Sequence, residues 1–224
     1  MQASYEHMMP QTIPLIRPRP EFPHVVCRRF LLSDSLGGER VLDVGCGHGE
    51  LMRELLSLGC AVVGTEVTPQ LIDSGRAAGL DVRPGPAEKL PFENNSFDRL
   101  QCSVVLPYTD ERQAVAEWAR VLKPGGTVYA SYHGIGYALH QILRSKTLRP
   151  RIYGMRTLLN TWCYWTTGRR LPGFLGDSLC QGMKRLSVYY RSSGLQLERE
   201  LVVASVAGYP RFLCHQLRKR QSCD

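Results

Sequence analysis

Three glycines alternate with other residues in the segment Asp43-Val44-Gly45-Cys46-Gly47-His48-Gly49. Because glycine has no Cβ, such a loop lets the backbone approach a ligand closely and adopt positive φ angles. The spacing G-x-G-x-G differs from the dinucleotide fingerprint G-x-G-x-x-G, whose longer spacing brings a pyrophosphate onto a helix N-terminus. The loop therefore favours a ligand without phosphates.

Two later segments carry polar groups that suit a nucleoside. Glu66 lies 23 residues after Asp43, at the end of a second apolar run, where a doubly wound sheet places a carboxylate within reach of a ribose diol. Two hydroxyl donors match the acceptor oxygens of one carboxylate. The segment 86–92 follows a third predicted strand and would flank an adenine, with the Ala87 amide as donor and the Glu88 side chain as acceptor.

The elements that must position these residues are visible from residue 40 onward. Short apolar runs rich in β-branched residues alternate with segments of helical period, which predicts a parallel sheet covered by helices. The predicted strands are Arg40–Val44, Ala61–Thr65, a short one at Asp81–Arg83, Phe97–Val105 and Thr127–Tyr132. The predicted helices are Glu50–Leu58, Pro69–Ala78 and Asp110–Leu122, the last of them stopped by Pro124-Gly125-Gly126.

The alternation of strand and helix patterns stops after residue 132 and is followed by about 45 residues rich in Arg, Trp and Tyr. A helix at Ser178–Ser192 follows, and then two strands, Leu195–Val203 and Arg211–Leu217, joined by a turn at Gly208-Tyr209-Pro210. The length fits a single domain. We divide it into an N-terminal arm (1–38), a cofactor-binding half (39–132), a lid insertion (133–177) and a C-terminal helix and hairpin (178–224).

Four segments in this order resemble the class I S-adenosylmethionine-dependent methyltransferases of the UbiE-like (methyltransferase type 11) group. They are VLDVGCGHGE (41–50), VVGTEVTPQLID (62–73), AEKLPFENNSFDRL (87–100) and ARVLKPGGTVYAS (119–131). The resemblance implies an α/β fold, a Rossmann-like doubly wound seven-stranded sheet of order 3-2-1-4-5-7-6 with its last strand antiparallel and a lid insertion after strand 5. It also implies S-adenosyl-L-methionine as the cofactor.

The resemblance also assigns roles to individual residues. It implies that Asp43 and the loop hold the methionine part of the cofactor, and that backbone groups of Cys102 or Ser103 contact its amino group. The implied cofactor-binding residues are Asp43, Gly45, Cys46, Gly47 and Gly49 for the methionine part, Glu66 and Val67 for the ribose, Ala87 and Glu88 for the adenine, and Cys102 and Ser103.

A sulfonium methyl group is already activated, so the protein mainly has to desolvate it and hold the acceptor in line. A base is needed only when the acceptor is a hydroxyl or an acidic carbon. Tyr108, Tyr132 and His133 follow the fourth and fifth predicted strands, where ligands of open α/β sheets bind. His133 is the candidate catalytic base because an ordinary imidazole titrates near neutrality. The alternative is that His133 only packs within the lid; His140 is a weaker candidate.

The lid insertion supplies candidate acceptor-binding residues. Tyr137, Trp162 and Trp165 would wall an apolar acceptor, or else form a small core of the lid itself. Its arginines would clamp a carboxylate or phosphate, or face water. The stretch contains Gly and Pro, and we find no sustained amphipathic helix in it, which counts against a membrane-surface or nucleic-acid role. Tyr5, Arg17 and Arg19 of the N-terminal arm are further candidate contacts.

Composition narrows the class of protein. The chain has 224 residues, a formal net charge of +8 and eight cysteines. The cysteines are scattered without a CxxC pair, which predicts free thiols rather than disulfides or zinc, and we predict no metal site. No apolar run approaches the length of about 18 residues that a membrane span needs. These features predict a soluble, cytoplasmic protein, while the oligomeric state is left open.

The sequence thus predicts an enzyme that methylates oxygen, carbon or amine nitrogen of a small biosynthetic metabolite. The residues after the fourth strand, Ser103-Val104-Val105-Leu106-Pro107, lack the [DNS]-P-P-[YFW] element of base and amide N-methyltransferases. That absence argues against nucleic acid as partner, although the basic charge leaves RNA methylation as an alternative. A protein that keeps the cofactor pocket without turnover is the second alternative.

Overall fold

The computed structural model describes residues 28, 31, 32 and 37–221, and the proposed contacts Tyr5, Arg17 and Arg19 lie outside them. Seven strands form one sheet of order β3-β2-β1-β4-β5-β7-β6. All neighbouring strands are parallel except β7, which is antiparallel to β5 and β6. The strands are β1 (Arg40–Val44), β2 (Ala61–Glu66), β3 (Val82–Pro84), β4 (Phe97–Ser103), β5 (Leu122–His133), β6 (Leu195–Val206) and β7 (Tyr209–Lys219). The predicted Rossmann-like order is confirmed.

Six α-helices accompany the strands within residues 37–221. Helices α1 and α2 cover one face of the sheet, and α3 and α6 cover the other. Helices α4 and α5 lie in the insertion between β5 and α6. The bounds are α1 (Glu50–Ser57), α2 (Pro69–Ala77), α3 (Glu111–Val121), α4 (Ile135–Arg144), α5 (Leu148–Thr167) and α6 (Met183–Ser192).

Helices cover both faces of the sheet, which explains the apolar runs in β1 and β2. On one face, alternate residues of β1, β4 and β5 pack against Trp118 of α3 and Tyr190 of α6. On the other face, their neighbours pack against Met52 and Leu55 of α1 and against Ile72 of α2. The strands are therefore held rigidly from both sides, and their carboxyl ends form a fixed edge.

Several predicted boundaries need correction. Strand β5 begins at Leu122 rather than Thr127, because Phe97 of β4 pairs with Leu122 across a register shift. Helix α6 begins at Met183, after the cap residue Gly182, and not at Ser178. The hairpin turn is Ala207-Gly208, whose φ angles of 51° and 78° are the positive pair that a two-residue type I′ turn requires. Pro210 lies in β7.

The lid insertion is more regular than the sequence predicted. It contains the ten-residue helix α4 and the 20-residue helix α5, where the prediction had no sustained helix. Pro150 is tolerated because it lies in the first turn of α5, where its missing N–H has no partner to lose. The insertion therefore packs as a helical pair on one end of the sheet.

The cysteine prediction holds for the described part of the chain. Cys46, Cys60, Cys102 and Cys180 are buried free thiols. No helix among the described residues is long and apolar enough to cross a membrane. Nor do these residues bring three or more His, Cys, Asp or Glu side chains together in a group that could hold a metal ion.

Candidate functional site

The glycine loop joins the end of β1 to the start of α1. Gly45, Gly47 and Gly49 have φ angles of 70°, 54° and 71°, all in the left-handed region that favours glycine. The Gly45 and Cys46 amides donate hydrogen bonds to the Thr65 carbonyl, over N···O distances of 2.8 and 3.0 Å. The loop is thereby tied to the end of β2.

The three glycines differ in the space around them. A Cβ on Gly45 would lie 2.3 Å from Cγ2 of Val105, and one on Gly49 would lie 2.3 Å from Cδ1 of Leu80. A Cβ on Gly47 would meet no atom of the described residues within 4 Å. Gly45 and Gly49 are thus required by packing within the protein, whereas Gly47 borders open space that a ligand can enter.

Glu66 is buried at the end of β2, and its carboxylate already accepts hydrogen bonds from three backbone amides. Its Oε2 accepts from the Gly47 amide at 3.1 Å, and its Oε1 accepts from the Val67 and Thr68 amides at 2.8 and 3.1 Å. A carboxylate has about four acceptor positions. Glu66 therefore has one acceptor position left, whereas the predicted pair of ribose hydroxyls needs two.

Asp43 is the most unusual group at this edge of the sheet. Its side chain is 5% exposed, and no group in the described part of the chain donates a hydrogen bond to its carboxylate. Burial, together with the nearby negative charge of Glu66, raises the pKa of Asp43 from 3.8 to about 7. Buried carboxylates are normally paired with donors or cations, so Asp43 lacks a partner that a cationic ligand would supply.

The predicted adenine loop has one free donor and one carboxylate that is already engaged. Ala87 is buried, and its backbone N–H makes no hydrogen bond to any described residue. Oε1 of Glu88 accepts from the backbone N–H of Asp110, the cap residue of α3, at 2.9 Å. Glu88 therefore fixes the start of α3, and only its other oxygen is left for a ligand.

The segment after β4 is strained. Val104 has φ 59°, a conformation that is a genuine outlier for a β-branched residue and costs of order 1–3 kcal/mol. The Val104 amide donates to the Ser131 carbonyl of β5 at 2.9 Å, and Val105 then packs on Gly45. Sequence patterns gave no indication of Val104 or Val105, since valine normally marks a strand.

Polar side chains line one face of the sheet at this edge. Register pairs Asp43 with Gln101 and Ser103 with Ser131, so these four side chains project from the same face. Nε2 of Gln101 donates to Oγ of Ser103 at 2.8 Å. Oγ of Ser131 is buried without a hydrogen-bond partner in the described chain. The face carries unsatisfied polar groups, which is rare in a packed interior.

His133 ends β5 on this same face. It is 7% exposed, and its ring stacks on Tyr137 with centroids 3.8 Å apart. Burial lowers the pKa of His133 from 6.5 to about 3, so the imidazole is neutral at pH 7. Its Nδ1 finds no hydrogen-bond partner among the described residues. The ring is therefore held in place with one polar atom unsatisfied.

Two predicted acceptor residues have other partners. Tyr132 points to the opposite face of β5 from His133, because adjacent strand residues alternate. It is fully buried in the core, with its hydroxyl 2.5 Å from that of Tyr190. The Tyr108 hydroxyl lies 3.3 Å from that of Tyr153, which donates to Ser178. Tyr132 is thus a core residue, and Tyr108 connects the β4 edge to the lid.

The two tryptophans of the lid do not share one pocket. Trp162 is 63% exposed on the outer side of α5. Trp165 lines a cavity of about 970 Å³ between α3, the end of α5 and the start of α6. None of the glycine-loop residues lines this cavity. Of the three lid aromatics predicted to wall the acceptor, only Tyr137 contacts His133 among the described ring pairs.

Thiol chemistry at the site is disfavoured. Burial and the charges of Asp43 and Glu66 raise the pKa of Cys46 from 9.0 to about 12. Burial raises the pKa of Cys102 even further. Both thiols stay protonated at neutral pH and act as packing groups.

The sheet, with its glycine loop after β1 and an acidic residue at the end of β2, has the same fold as solved structures of S-adenosylmethionine-dependent methyltransferases. Residues 42–130 match the family model described as a methyltransferase domain. The match covers the glycine loop, the acidic strand end and the adenine loop.

Individual proteins similar to this chain include methyltransferases. The chain is 38% identical over 105 residues to a ubiquinone biosynthesis O-methyltransferase of Xanthomonas oryzae, covering 43% of this chain and 44% of that protein. The chain thus spans less than half the length of this curated relative. An S-adenosylmethionine-dependent methyltransferase structure from Mesorhizobium loti superposes with TM-score 0.66 at 19% identity, over 88% of this chain and 97% of that one. The [4+2]-cyclase SpnF superposes with TM-score 0.61 at 18% identity, over 87% and 81%.

Proposed function

We propose that the chain binds S-adenosylmethionine at the glycine loop and transfers its methyl group to a small-molecule acceptor. The observation that carries this proposal is Asp43, a buried carboxylate to which no described residue donates, next to Glu66 and beneath a loop whose Gly47 has open space among the described residues. Two carboxylates so placed repel one another unless a cation joins them. The cofactor carries a sulfonium and an ammonium group and no phosphate, so the residues present fit it.

The remaining contacts follow the order of the strands. Asp43 and the loop amides would hold the methionine part, and the last acceptor position of Glu66, next to Val67, would take one ribose hydroxyl. The free N–H of Ala87 and the second oxygen of Glu88 would hold the adenine. Backbone groups of Cys102 or Ser103 at the end of β4 would contact the amino group. When bound there, the cofactor supplies an activated methyl group; the protein has to exclude water from it and position the acceptor.

An oxygen acceptor is the variant that we favour, ahead of carbon or amine nitrogen. One curated relative is named as an O-methyltransferase, and a hydroxyl acceptor needs a group that accepts its proton or its hydrogen bond. Ser131 Oγ and His133 Nδ1 are buried on the face that carries Asp43, and neither has a hydrogen-bond partner among the described residues. His133 is a neutral imidazole, so its Nδ1 would orient the hydroxyl and receive its proton.

Replacing His133 by Ala or Gln is expected to lower kcat by about ten-fold. A base whose pKa matches the working pH contributes 10²–10⁴-fold, but the pKa of His133 is about 3, which weakens its drive to take a proton. Affinity for S-adenosylhomocysteine should stay within about two-fold, because His133 lies on the acceptor side. His140→Ala on α4 is the control. Normal turnover in both His133 variants would show that positioning alone carries catalysis.

Titration calorimetry tests the donor site directly. S-adenosylhomocysteine should bind the wild-type protein and NAD should not; the reverse result refutes the proposal. Gly47→Ala should weaken binding about ten-fold or more, since its new Cβ enters the ligand space. Gly59→Ala is a matched control, because Gly59 also has a positive φ and open surroundings but lies in the turn before β2. Both substitutions should cost about 1 kcal/mol of stability, and only the first should affect binding.

A second function within the same fold has one observation in its favour. The similar solved structure titled a [4+2]-cyclase shows that this architecture also occurs in a protein named for another reaction. A non-catalytic cofactor-binding protein would likewise keep the glycine loop. An assay with labelled methyl donor against pools of small metabolites and of RNA separates these readings. Label in the metabolite pool supports the proposal, label in RNA supports the nucleic-acid alternative, and binding without label supports a non-methylating protein.

A further inference from the structure

Helix α5 buries several polar side chains and exposes several large apolar ones. Its fully buried positions include Arg156, Asn160 and Thr161. Its outer face carries large apolar side chains that are 41–68% exposed and spaced three or four residues apart, as one helix face requires. We call this set the apolar stripe: Leu148, Ile152, Met155, Leu159 and Trp162. An amphipathic helix packed on a core normally has the opposite arrangement.

The orientation of α5 is fixed by specific contacts on its buried side. Nδ2 of Asn160 donates to the Ser178 carbonyl at 2.7 Å, and Oγ1 of Thr161 accepts from the Cys180 amide at 2.9 Å. Arg156 forms an ion pair with Asp177 at 2.8 Å, and its side chain is 3% exposed. Rotating α5 to bury the apolar stripe would break all of these bonds, so the stripe is a stable outward surface.

The apolar stripe is too large to be scattered surface hydrophobicity. From Leu148 to Trp162 it runs about 21 Å along the helix, at 1.5 Å per residue. Arg156 donates to the Phe174 carbonyl and its guanidinium lies over the Phe174 ring, which places Phe174 beside the helix. Phe174 and Leu175 are themselves 68% and 43% exposed. An exposed row of large apolar side chains of this length marks an interaction site.

The charged residues of the segment that carries the stripe all have one sign. Residues 133–176 contain seven Arg or Lys residues and no Asp or Glu. Arg156 is paired internally, but Lys146, Arg149 and Arg151 are exposed at the same end of α5 as Leu148. A partner for this face must therefore be apolar at its centre and negatively charged around it.

We propose that the apolar stripe and its basic flank dock on an anionic phospholipid surface, with α5 lying in the plane of the membrane interface. A helix with apolar and Trp side chains on one face, flanked by Arg and Lys, has this behaviour. A second copy of the chain is a poorer partner, because residues 133–176 contain no Asp or Glu, and in a two-fold contact they would offer no negative charge to the basic flank of the other copy. Docking would place the lid insertion, which follows β5, against the lipid.

Vesicle co-sedimentation tests the proposal with the full chain. The wild-type protein should bind vesicles of phosphatidylcholine mixed with phosphatidylglycerol and leave pure phosphatidylcholine largely free, and added salt should weaken the binding. Leu159→Gln with Trp162→Gln should lower the partition coefficient about ten-fold or more. Lys146→Gln with Arg149→Gln should lower it about 30-fold, at roughly five-fold for each basic residue near the surface.

The control is the pair Leu56→Gln and Leu58→Gln on α1, whose side chains are 45% and 46% exposed. These should leave vesicle binding unchanged, and all variants should keep the wild-type unfolding midpoint because the replaced side chains are exposed. Equal partition of the wild type and the Leu159/Trp162 variant overturns the proposal. So does a dimer in sedimentation velocity that this variant abolishes while neither protein binds vesicles, which would assign the stripe to a second copy.

Discussion

Asp43→Asn is expected to weaken S-adenosylhomocysteine binding about 100-fold or more at pH 8 and, at the same pH, to stabilise the unliganded protein. The carboxylate is buried next to Glu66 and receives no hydrogen bond from the part of the chain that the structure describes, so the cationic amino group of the ligand would supply its counter-charge in the proposed complex. Removing one partner of a buried charge pair typically costs 2–5 kcal/mol of binding. The exposed Asp73→Asn is the control and should bind normally.

The gain in stability follows from the direction of the Asp43 pKa shift. Its folded-state pKa of about 7 lies above the ordinary value of 3.8. A carboxyl group with a raised folded pKa contributes most to stability below its unfolded pKa, and that contribution is lost as the pH rises through 7. At pH 8 the ionised group therefore opposes folding, by an amount on the order of 2–4 kcal/mol. The neutral amide escapes most of this cost.

Thermal unfolding at two pH values measures this effect. The midpoint of Asp43→Asn should exceed that of the wild type by about 3–6 °C at pH 8, and the difference should shrink at pH 5.5, where the native carboxyl is protonated. Wild-type affinity for S-adenosylhomocysteine should rise between pH 6 and 8 as Asp43 ionises. A variant that is destabilised equally at both pH values would show that Asp43 has a buried donor after all.

Glu111→Ala is expected to destabilise the protein by about 3–5 kcal/mol. Glu111 is completely buried at the start of α3 and accepts from Arg185 of α6 through both oxygens, at 2.6 and 2.7 Å, and from Gln181 at 3.0 Å. Its removal leaves the Arg185 guanidinium, whose side chain is 14% exposed, without its counter-charge. For a chain of this length the unfolding midpoint should fall by roughly 10 °C.

Two further variants test the interpretation of the Glu111 pair. Glu111→Leu combined with Arg185→Met should recover most of the lost stability, because replacing both charges leaves neither uncompensated. Arg112→Ala, an exposed neighbour on the same helix, should change stability by less than about 0.5 kcal/mol. If the double variant is as unstable as Glu111→Ala, the loss comes from packing rather than from the unpaired charge.

The sheet was predictable because β1 and β2 are largely buried and contain runs of apolar, mostly β-branched residues. Strand β1 has the predicted bounds Arg40–Val44, and β2 extends the prediction by one residue, to Glu66. Strand β5 was predicted too short because Pro124 and two glycines were interpreted only as the end of a helix. They also form the irregular first part of a strand. Pairing with β4, which is distant in sequence, stabilises this part, so the local sequence does not indicate it.

The positions of site residues were predictable where a sequence motif fixes the backbone. They were not predictable where strand register determines the face to which a side chain points. The glycine loop, Asp43 and Glu66 lie together at one edge of the sheet, as expected from the strand order. Tyr132 was grouped with His133, but alternation along β5 sends adjacent side chains to opposite faces. The partners of Glu66 and Glu88 are backbone amides, which have no sequence signature.

The helices of the lid insertion were not predicted, for a different reason. The spacing of Leu148, Ile152, Met155 and Leu159 fits a helix, but helical period alone does not say which face points inward. The inward face is determined by hydrogen bonds from Asn160 to Ser178 and from Cys180 to Thr161. These bonds join residues that are 18 and 19 positions apart in the sequence. Polar groups with such specific partners outweigh the apolar face.

The contact between Val105 and Gly45 gives the protein a route for communication between its two proposed ligands. Val105 belongs to the strained turn that leads to Tyr108 on the acceptor side, and its methyl group occupies the position that a Gly45 side chain would fill. Any shift of this turn on acceptor binding displaces the loop beneath the methionine part of the donor. Thermodynamic linkage then requires the donor to alter acceptor affinity by the same factor, so the two ligands should bind cooperatively, positively or negatively, rather than independently.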